Sequence, residues 1–350
     1  MNALSPVAAI TVRTADLAAE TERLDAFVAE HLDGTLFHRP QWSRVAERGC
    51  GARAHYLVAE RAGSLIGCLP LSEIRSPLFG NALVSAGFGT GGGILGEGGA
   101  ALASAAWRLA ERLGCASAEL RGGPVPQGWA ESSGIYSRFD RPLPQSEDEL
   151  LLSIPRRQRA EVRRALASSL ETSAGSDRRH RDAHFQVYGE SVRNLGTPVF
   201  PRALFEAALD AFGREADVVT VWRDGRPLAC LLTFYHKGVC QPYWGGGTRE
   251  ARAWHANDLI YYETMRRAIG RGCVHADFGR SKVGTGPWSR KRIWHFQETP
   301  LVHAVRTADG STPRAVNPLD PKYRLKVAAW QRMPLWLANR IGPVIARGLG

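Results

Sequence analysis

The sequence predicts an α/β protein of two tandem units, each a mixed, mostly antiparallel sheet flanked by helices. Three observations predict it. A chain of 350 residues has the length of roughly two ordinary domains, and an apolar share of 44% is enough to fill their cores. The two halves also repeat one another. Residues 59–71, AERAGSLIGCLPL, align with 221–233, VWRDGRPLACLLT, setting Arg61 over Arg223, Gly63 over Gly225, Cys68 over Cys230 and Leu69 over Leu231. A glycine triplet follows each, Gly91-Gly92-Gly93 and Gly245-Gly246-Gly247. Then Arg108–Leu120 aligns with Arg266–Phe278, with Gly114-Cys115 over Gly272-Cys273 and Glu119 over Asp277. Blocks recurring in one order set domain count and fold class together. Finally, the first two strand-like runs of each half are joined too tightly to lie parallel, which excludes a doubly wound parallel sheet.

The elements follow in order. In the first unit, residues 1–145, Pro40 starts a helix running to Arg48. His55–Glu60 and Ser64–Leu71 are β-rich runs around the Ala62-Gly63 turn. Residues 85–99 are a glycine-dense loop, Ala100–Leu113 a helix closed by Gly114, and Ser117–Arg121 a strand. The second unit, residues 146–305, opens with Ser146 and Glu149 spaced as a capping box. An arginine-rich helix is predicted over Ile154–Leu170, and another over Pro201–Phe212. Strands at Asp217–Trp222 and Pro227–Tyr235 flank Asp224-Gly225, a strong hairpin signal. Residues 243–247, YWGGG, are predicted as a loop, Asn257–Ile269 as a helix and Val274–Gly279 as a strand. Residues 306–350 form a basic segment carrying Pro and Trp.

The formal charge is +11, which favours anionic partners such as nucleic acid, phosphorylated metabolites or acidic lipid. Six cysteines without a CxxC or close pair read as packed thiols of a reducing compartment, and no zinc spacing is present. The first twenty residues lack the basic and apolar regions of a signal peptide. No apolar run approaches the ~18 residues of a membrane span. The chain is therefore expected in the cytoplasm.

Gly87, Gly89 and Gly92 satisfy G-x-G-x-x-G, but no helix opens directly after them, so the dinucleotide mechanism lacks its helix N-terminus. The helix at 154–170 carries Arg156, Arg157 and Arg159, candidates for phosphate or RNA contact or simply a solvated basic face. Residues 274–296 are densest in chemistry. Asp277 ends a strand, and Arg280, Lys282, Lys291 and Arg292 surround it with positive charge, flanked by Trp288 and Trp294. A carboxylate beside cations can position an amine and a developing oxyanion together. It can equally be a structural ion pair.

Asp277-Phe278-Gly279, then Gly284-x-Gly286 and Trp288-x-x-Lys291-x-x-Trp294, resemble the FemAB-like acyltransferases, as do Arg156–Ala165 and Tyr188–Phe200. The resemblance covers roughly residues 35–305. It is closest to the FemAB-like proteins associated with exosortase/PEP-CTERM and exopolysaccharide systems. It implies two tandem GNAT-like units and transfer of an acyl or aminoacyl group to an amine of a cell-envelope or exopolysaccharide precursor. The acceptor would be a small or lipid-linked molecule. No cofactor is held permanently, and the donor would be an aminoacyl-tRNA or an acyl-CoA. In that reading Asp277 orients or deprotonates the amine, while Lys291 with Arg280 or Lys282 steadies the oxyanion or donor phosphate. Tyr243, Trp244 and Gly245 wall the acceptor cleft, and Asn257, Tyr261, Lys282, Trp288, Arg292 and Trp294 contact substrate. Two positions depart from the family. The acetyltransferase loop [QR]-x-x-G-x-[GA] is absent, and His295 stands where a small residue follows the last aromatic. An ordinary acetyl-CoA N-acetyltransferase, or a non-catalytic RNA- or membrane-binding protein on the same fold, remain alternatives.

From Lys322 onward the chain holds six Lys or Arg and no acid, with Trp330 and Trp336 among apolar residues broken by Pro334 and Pro343. This pattern predicts a peripheral contact of residues 322–350 with an anionic inner-membrane surface.

Overall fold

In the computed structural model, residues 8–308 and 324–350 are described. They fall into two compact units. One comprises residues 8–133, 302–308 and 347–350, the other residues 134–301 and 324–346.

The first unit contains β1 (Ile10–Thr14), α1 (Leu17–Glu30), α2 (Pro40–Cys50), β2 (Arg53–Arg61), β3 (Ser64–Ile74), β4 (Ala82–Ser85), β5 (Leu95–Gly96), α3 (Gly99–Arg112), β6 (Ser117–Arg121) and β7 (Ala130–Ser132). The second contains β8 (Tyr136–Pro142), α4 (Glu147–Ser153), α5 (Arg156–Leu166), β9 (Glu171–Gly175), α6 (Arg178–Leu195), α7 (Arg202–Phe212), β10 (Ala216–Arg223), β11 (Arg226–His236), β12 (Val239–Gly247), α8 (Ala256–Gly270), β13 (His275–Lys282), α9 (Gly286–Ile293) and β14 (Gln297–Pro300). The chain then adds β15 (His303–Thr307) to the first unit's sheet, and ends in α10 (Arg324–Arg332) and α11 (Leu335–Ala346).

The sheets run β1-β2-β3-β4-β6-β15-β7 and β9-β10-β11-β12-β13-β8-β14, so they match strand for strand. Hairpins β2–β3 and β10–β11 are antiparallel, and β4–β6 and β12–β13 are the parallel pairs. Both hairpins turn on a residue pair with positive φ, Ala62-Gly63 and Asp224-Gly225, the geometry that matches the right-handed twist of the flanking strands. Gly114 and Gly272, just past α3 and α8, also have positive φ. Cys68 and Cys230 are both fully buried. The repeat seen in the sequence is thus a repeat of structure.

β13 runs on to Lys282, past the Gly279 at which the sequence places the strand's end, and two larger features also differ from the sequence expectation. Residues 243–247 are the end of β12, not a loop. In the first unit the corresponding strand is broken into β4 and β5, with Cys68 opposite Leu95 where Cys230 lies opposite Gly246. The two glycine triplets therefore serve unlike purposes. Gly91–Gly93 lie in the interrupting loop, while Gly245 lets β12 pair closely, because a Cβ there would meet the Cys230 carbonyl oxygen at 2.1 Å. The second difference is the boundary. It was expected near 145, but the units part at 133/134 and 301/302, because each sheet takes one strand from the far half of the sequence. β8 pairs with β13, and β15 sits between β6 and β7.

Each sheet is covered on both faces. In the first unit Leu57, Leu69, Leu83 and Leu120 pack on Leu102, Ala106 and Ala110 of α3, while Tyr56, Val58 and Cys68 face Leu24 and Val28 of α1. In the second, Val219, Val221, Ala276 and Phe278 pack on Leu259, Ile260 and Met265 of α8. Alternation sends their neighbours to the opposite face. There Trp222 meets His180 of α6 and Phe234 meets Phe212 of α7. Ser173, which accepts from Trp222 Nε1 at 2.8 Å and pairs with His180 Nε2 at 3.0 Å, ties edge strand β9 to α6.

Candidate active site

Parallel pairing of β12 with β13 is confined to Val239 opposite His275 and Cys240 opposite Ala276. Beyond it the two strands share no ladder bonds, and Gln241 spans them by donating Nε2 to Asp277 Oδ2 at 3.3 Å. On its other side β13 pairs with β8, and the register shifts between Asp277 and Arg280. This is a β-bulge, which inserts a residue and re-aims the side chains that follow. Gly279 supplies the positive φ (63°) that the bulge requires. Without it Arg280 would point to the face opposite Asp277. With it Asp277, Arg280 and Lys282 share a face with Tyr136, Arg138 and Asp140 of β8, since Arg138 Nε meets Asp277 Oδ2 at 3.0 Å and Arg280 lies 4.8 Å over the Tyr136 ring.

Asp277 is buried, and its carboxylate also accepts from the Gly279 amide at 2.9 Å. One step back on the same face His275 Nε2 meets Asp140 at 2.6 Å. The face is therefore graded, with carboxylates and a histidine at one end and Arg138, Arg280 and Lys282 at the other. Partial burial lowers the Lys282 ammonium below its usual range. Gln241 Oε1 is buried with no hydrogen-bond partner among the described residues. Turning the amide over would set that oxygen against the acceptor-only Asp277 carboxylate, so the assignment is chemically constrained.

Lys291 corrects the sequence expectation. It comes from α9 to the core side of the sheet, 5.6 Å over the Phe139 ring, and donates to the carbonyl oxygens of Phe278 and, at 3.4 Å, Arg280. These are carbonyls of the bulge. The ammonium thus braces the bulge from behind and is not aimed at the polar face. Burial pushes it down to about 8, with Asp277 pulling the other way.

The remaining expected residues separate. Trp244 is buried among Phe205, Phe234 and Tyr243. Tyr261 and Trp294 are core residues stacked with Phe278 and Phe296, and Trp294 Nε1 reaches Asp258 at 3.3 Å. These serve packing and do not contact an open face. Asn257 lies against Gly247, where a Cβ would meet its Oδ1 at 2.2 Å. Trp288 and Arg292 close on Glu298, with Arg292 4.6 Å over the indole. Arg156 and Arg157 are exposed on α5, while Arg159 bonds the Leu152 carbonyl. His295 takes positive φ (55°), a region in which His is among the better tolerated non-glycine residues. Arg138, Gln241 and Asp140 were not foreseen, because their strand partners are set by long-range pairing. The alternation of Tyr136, Arg138 and Asp140 was the one signal available.

The first unit holds a counterpart. Glu119 of β6 is paired with Arg121 at 2.8 Å and His303 at 3.1 Å. Burial alone would raise its carboxyl, but Arg121 and His303 outweigh that and hold it below the usual carboxylate range. Arg121 in turn donates to the Gly89 carbonyl of the glycine loop.

Residues 155–288 match the acetyltransferase (GNAT) domain family. No curated protein matches the chain in sequence. Among solved structures, FemX superposes with a TM-score of 0.63 at 16% identity, covering 83% of this chain and 96% of that one. A tandem GNAT protein of the clavulanic acid biosynthesis pathway gives 0.57 at 12% identity, over 87% and 100%. The C-terminal domain of a putative lysylphosphatidylglycerol synthetase from Agrobacterium fabrum gives 0.54 at 13% identity, over 84% and 93%. The chain has a tandem GNAT-like fold, and the part that matches the acetyltransferase (GNAT) domain family lies in its second unit.

Proposed function

We propose that the protein transfers an acyl or aminoacyl group from an activated ester or thioester to an amine held on the polar face of β13 and β8, and that the acceptor is a cell-envelope or exopolysaccharide precursor. The observation that carries this reading is the bulge at Phe278-Gly279, which turns Asp277 and Arg280 to one face inside the GNAT domain. The amine nitrogen attacks the donor carbonyl carbon, the C–O or C–S bond breaks, and the alcohol or thiol leaves with the proton the nitrogen gives up. Asp277 accepts an N–H of the attacking amine and orients its lone pair. Gln241 Oε1 supplies a second acceptor, and a donor bound there relieves a buried unsatisfied oxygen, which otherwise costs ~1–3 kcal/mol. Arg280 and Lys282 stabilise negative charge on the tetrahedral carbon's oxygen or on the acceptor. Lys291 is a positioning residue that holds the bulge. The FemX and lysylphosphatidylglycerol synthetase likenesses support this reading at the level of fold, and the FemAB-like resemblance supports the class of acceptor.

For the donor, charge around α8 favours aminoacyl-tRNA. A helix N-terminus attracts phosphate, but that of α8 is occupied by a Glu161–His255 pair at 2.7 Å and carries Asp258 in its first turn. Exposed Arg156, Arg157 and Arg163 of α5 offer an alternative phosphate-binding surface. Turnover assayed with acetyl-CoA and with aminoacyl-tRNA divides the two donors. Asp277→Asn should lower kcat by ~100-fold or more with the fold intact by circular dichroism. An Asp277→Asn variant as active as the wild type would remove the assignment.

A further inference from the structure

We propose that α10 and α11 form a docking surface for an anionic lipid bilayer. The argument begins with an inverted helix. A helix packed on a globular body ordinarily turns its large apolar residues inward. In α11 the inward residues are Ala338, Gly342 and Ala346, all buried, while Trp336 and Val344 are 70% and 72% exposed and Ile341 is 37% exposed. The small residues let the helix lie close, since a Cβ on Gly342 would meet the Val199 amide nitrogen at 2.9 Å, and Asn339 rests against Gly189 of α6. The same division holds in α10. Val327 packs on Gly196 and Gln331 donates to the Asn194 carbonyl at 3.2 Å, while Leu325 is 85% exposed. One side of each helix is thus committed to the second unit, and the other presents Leu325 of α10 and Trp336, Ile341 and Val344 of α11 to solvent.

The chemistry of that outer side selects the occupant. Lys326, Arg332 and Arg340 are exposed among the apolar residues, and no acid occurs from residue 321 to 350. Cations interleaved with Trp, Leu and Val suit a headgroup layer over acyl chains: guanidinium groups meet lipid phosphates, and the indole sits at the boundary. A protein partner would need a surface both apolar and acidic, whereas anionic lipid supplies both at once. Among the described residues no helix is long and apolar enough to cross a membrane, so the contact lies in the plane of the interface.

The test is co-sedimentation of the full chain with vesicles of phosphatidylcholine alone, or with about 30% phosphatidylglycerol to set a negative surface potential. Binding is expected only to the anionic vesicles. Arg332→Ala with Arg340→Ala should weaken it roughly tenfold or more. Trp336→Glu with Val344→Glu should abolish it while leaving Tm unchanged, because both side chains project into solvent. No binding, equal binding to both vesicles, or wild-type binding by the double-glutamate variant would overturn the proposal. So would a dimer in sedimentation velocity that this variant turns into a monomer, since a second copy would then be the occupant. No donor or acceptor is present in these experiments, so their outcome is separate from that of the transfer assay.

Discussion

Lys291 is an ammonium group placed where little water can reach it, held by two carbonyls and by the field of Asp277. Burial lowers its affinity for a proton to about 8, whereas the unfolded chain titrates near 10.4. The unfolded state therefore binds more protons between these values, and stability rises with pH across that window. Replacing Lys291 by Met removes the effect. The difference in urea-unfolding free energy between wild type and Lys291→Met should shift in favour of wild type from pH 8 to about 10.5, by at most ~3 kcal/mol. A flat difference would show that Lys291 is solvated. The sequence marked this lysine as chemically active from the company it keeps. Its actual direction depends on which face the bulge turns toward α9, and no spacing in 277–294 encodes that. The clustering of Asp277, Arg280 and Lys282 was legible in the sequence, but the glycine beside them marks a bulge within β13 and not the strand end that the sequence suggests.

Among elements, β12 shows how one glycine run can be read in the wrong state. Glycine triplets usually mark loops, yet Gly245, Gly246 and Gly247 pair with Leu231, Cys230 and Ala229. Glycine is needed there because backbone and side chains crowd the strand, with Ser191 of α6 only 2.1 Å from a Cβ on Gly246. Gly245→Ala should lower unfolding free energy by ~1–3 kcal/mol through overpacking against backbone. Gly270→Ala, in the last turn of α8 where the added carbon would meet only Glu147 Oε1 at 3.7 Å, should be neutral or stabilising by up to ~1 kcal/mol. Thermal melts of the two variants check the contrast. The hairpins and the α3 and α8 helices were legible because their signals are local: Asp224-Gly225, Gly114 and Gly272. Strands β8 and β15 were not, because a short run becomes a strand only when a distant partner accepts it.

At the scale of the molecule, the two sheets are the same list of strands with one member exchanged. β15 lies inside the first sheet, with β6 and β7 on either side. A fragment of residues 8–133 should therefore fail to fold, leaving β6 with an open edge and β7 without a partner. The same fragment carrying residues 302–308 through a flexible linker should recover cooperative unfolding by circular dichroism. Cooperative folding of the bare fragment would show that β15 is dispensable. The duplication itself was visible in the sequence, but the exchange was not, because a repeat reports which elements exist and is silent on which sheet receives them.

The exchanged strand also sets a timetable. A ribosome makes the chain from its N-terminus, and domains commonly fold in that order. Here the first unit's sheet cannot close until residues 303–307 have left the exit tunnel, after every strand of the second unit has been made. The second unit's sheet suffers no such delay, since β8 precedes its other strands and only α10 and α11 join that unit later. The sheet that begins first is thus completed last, and its β6 edge stays open while every strand of the second sheet is made. The second sheet would already be complete when that edge is finally sealed.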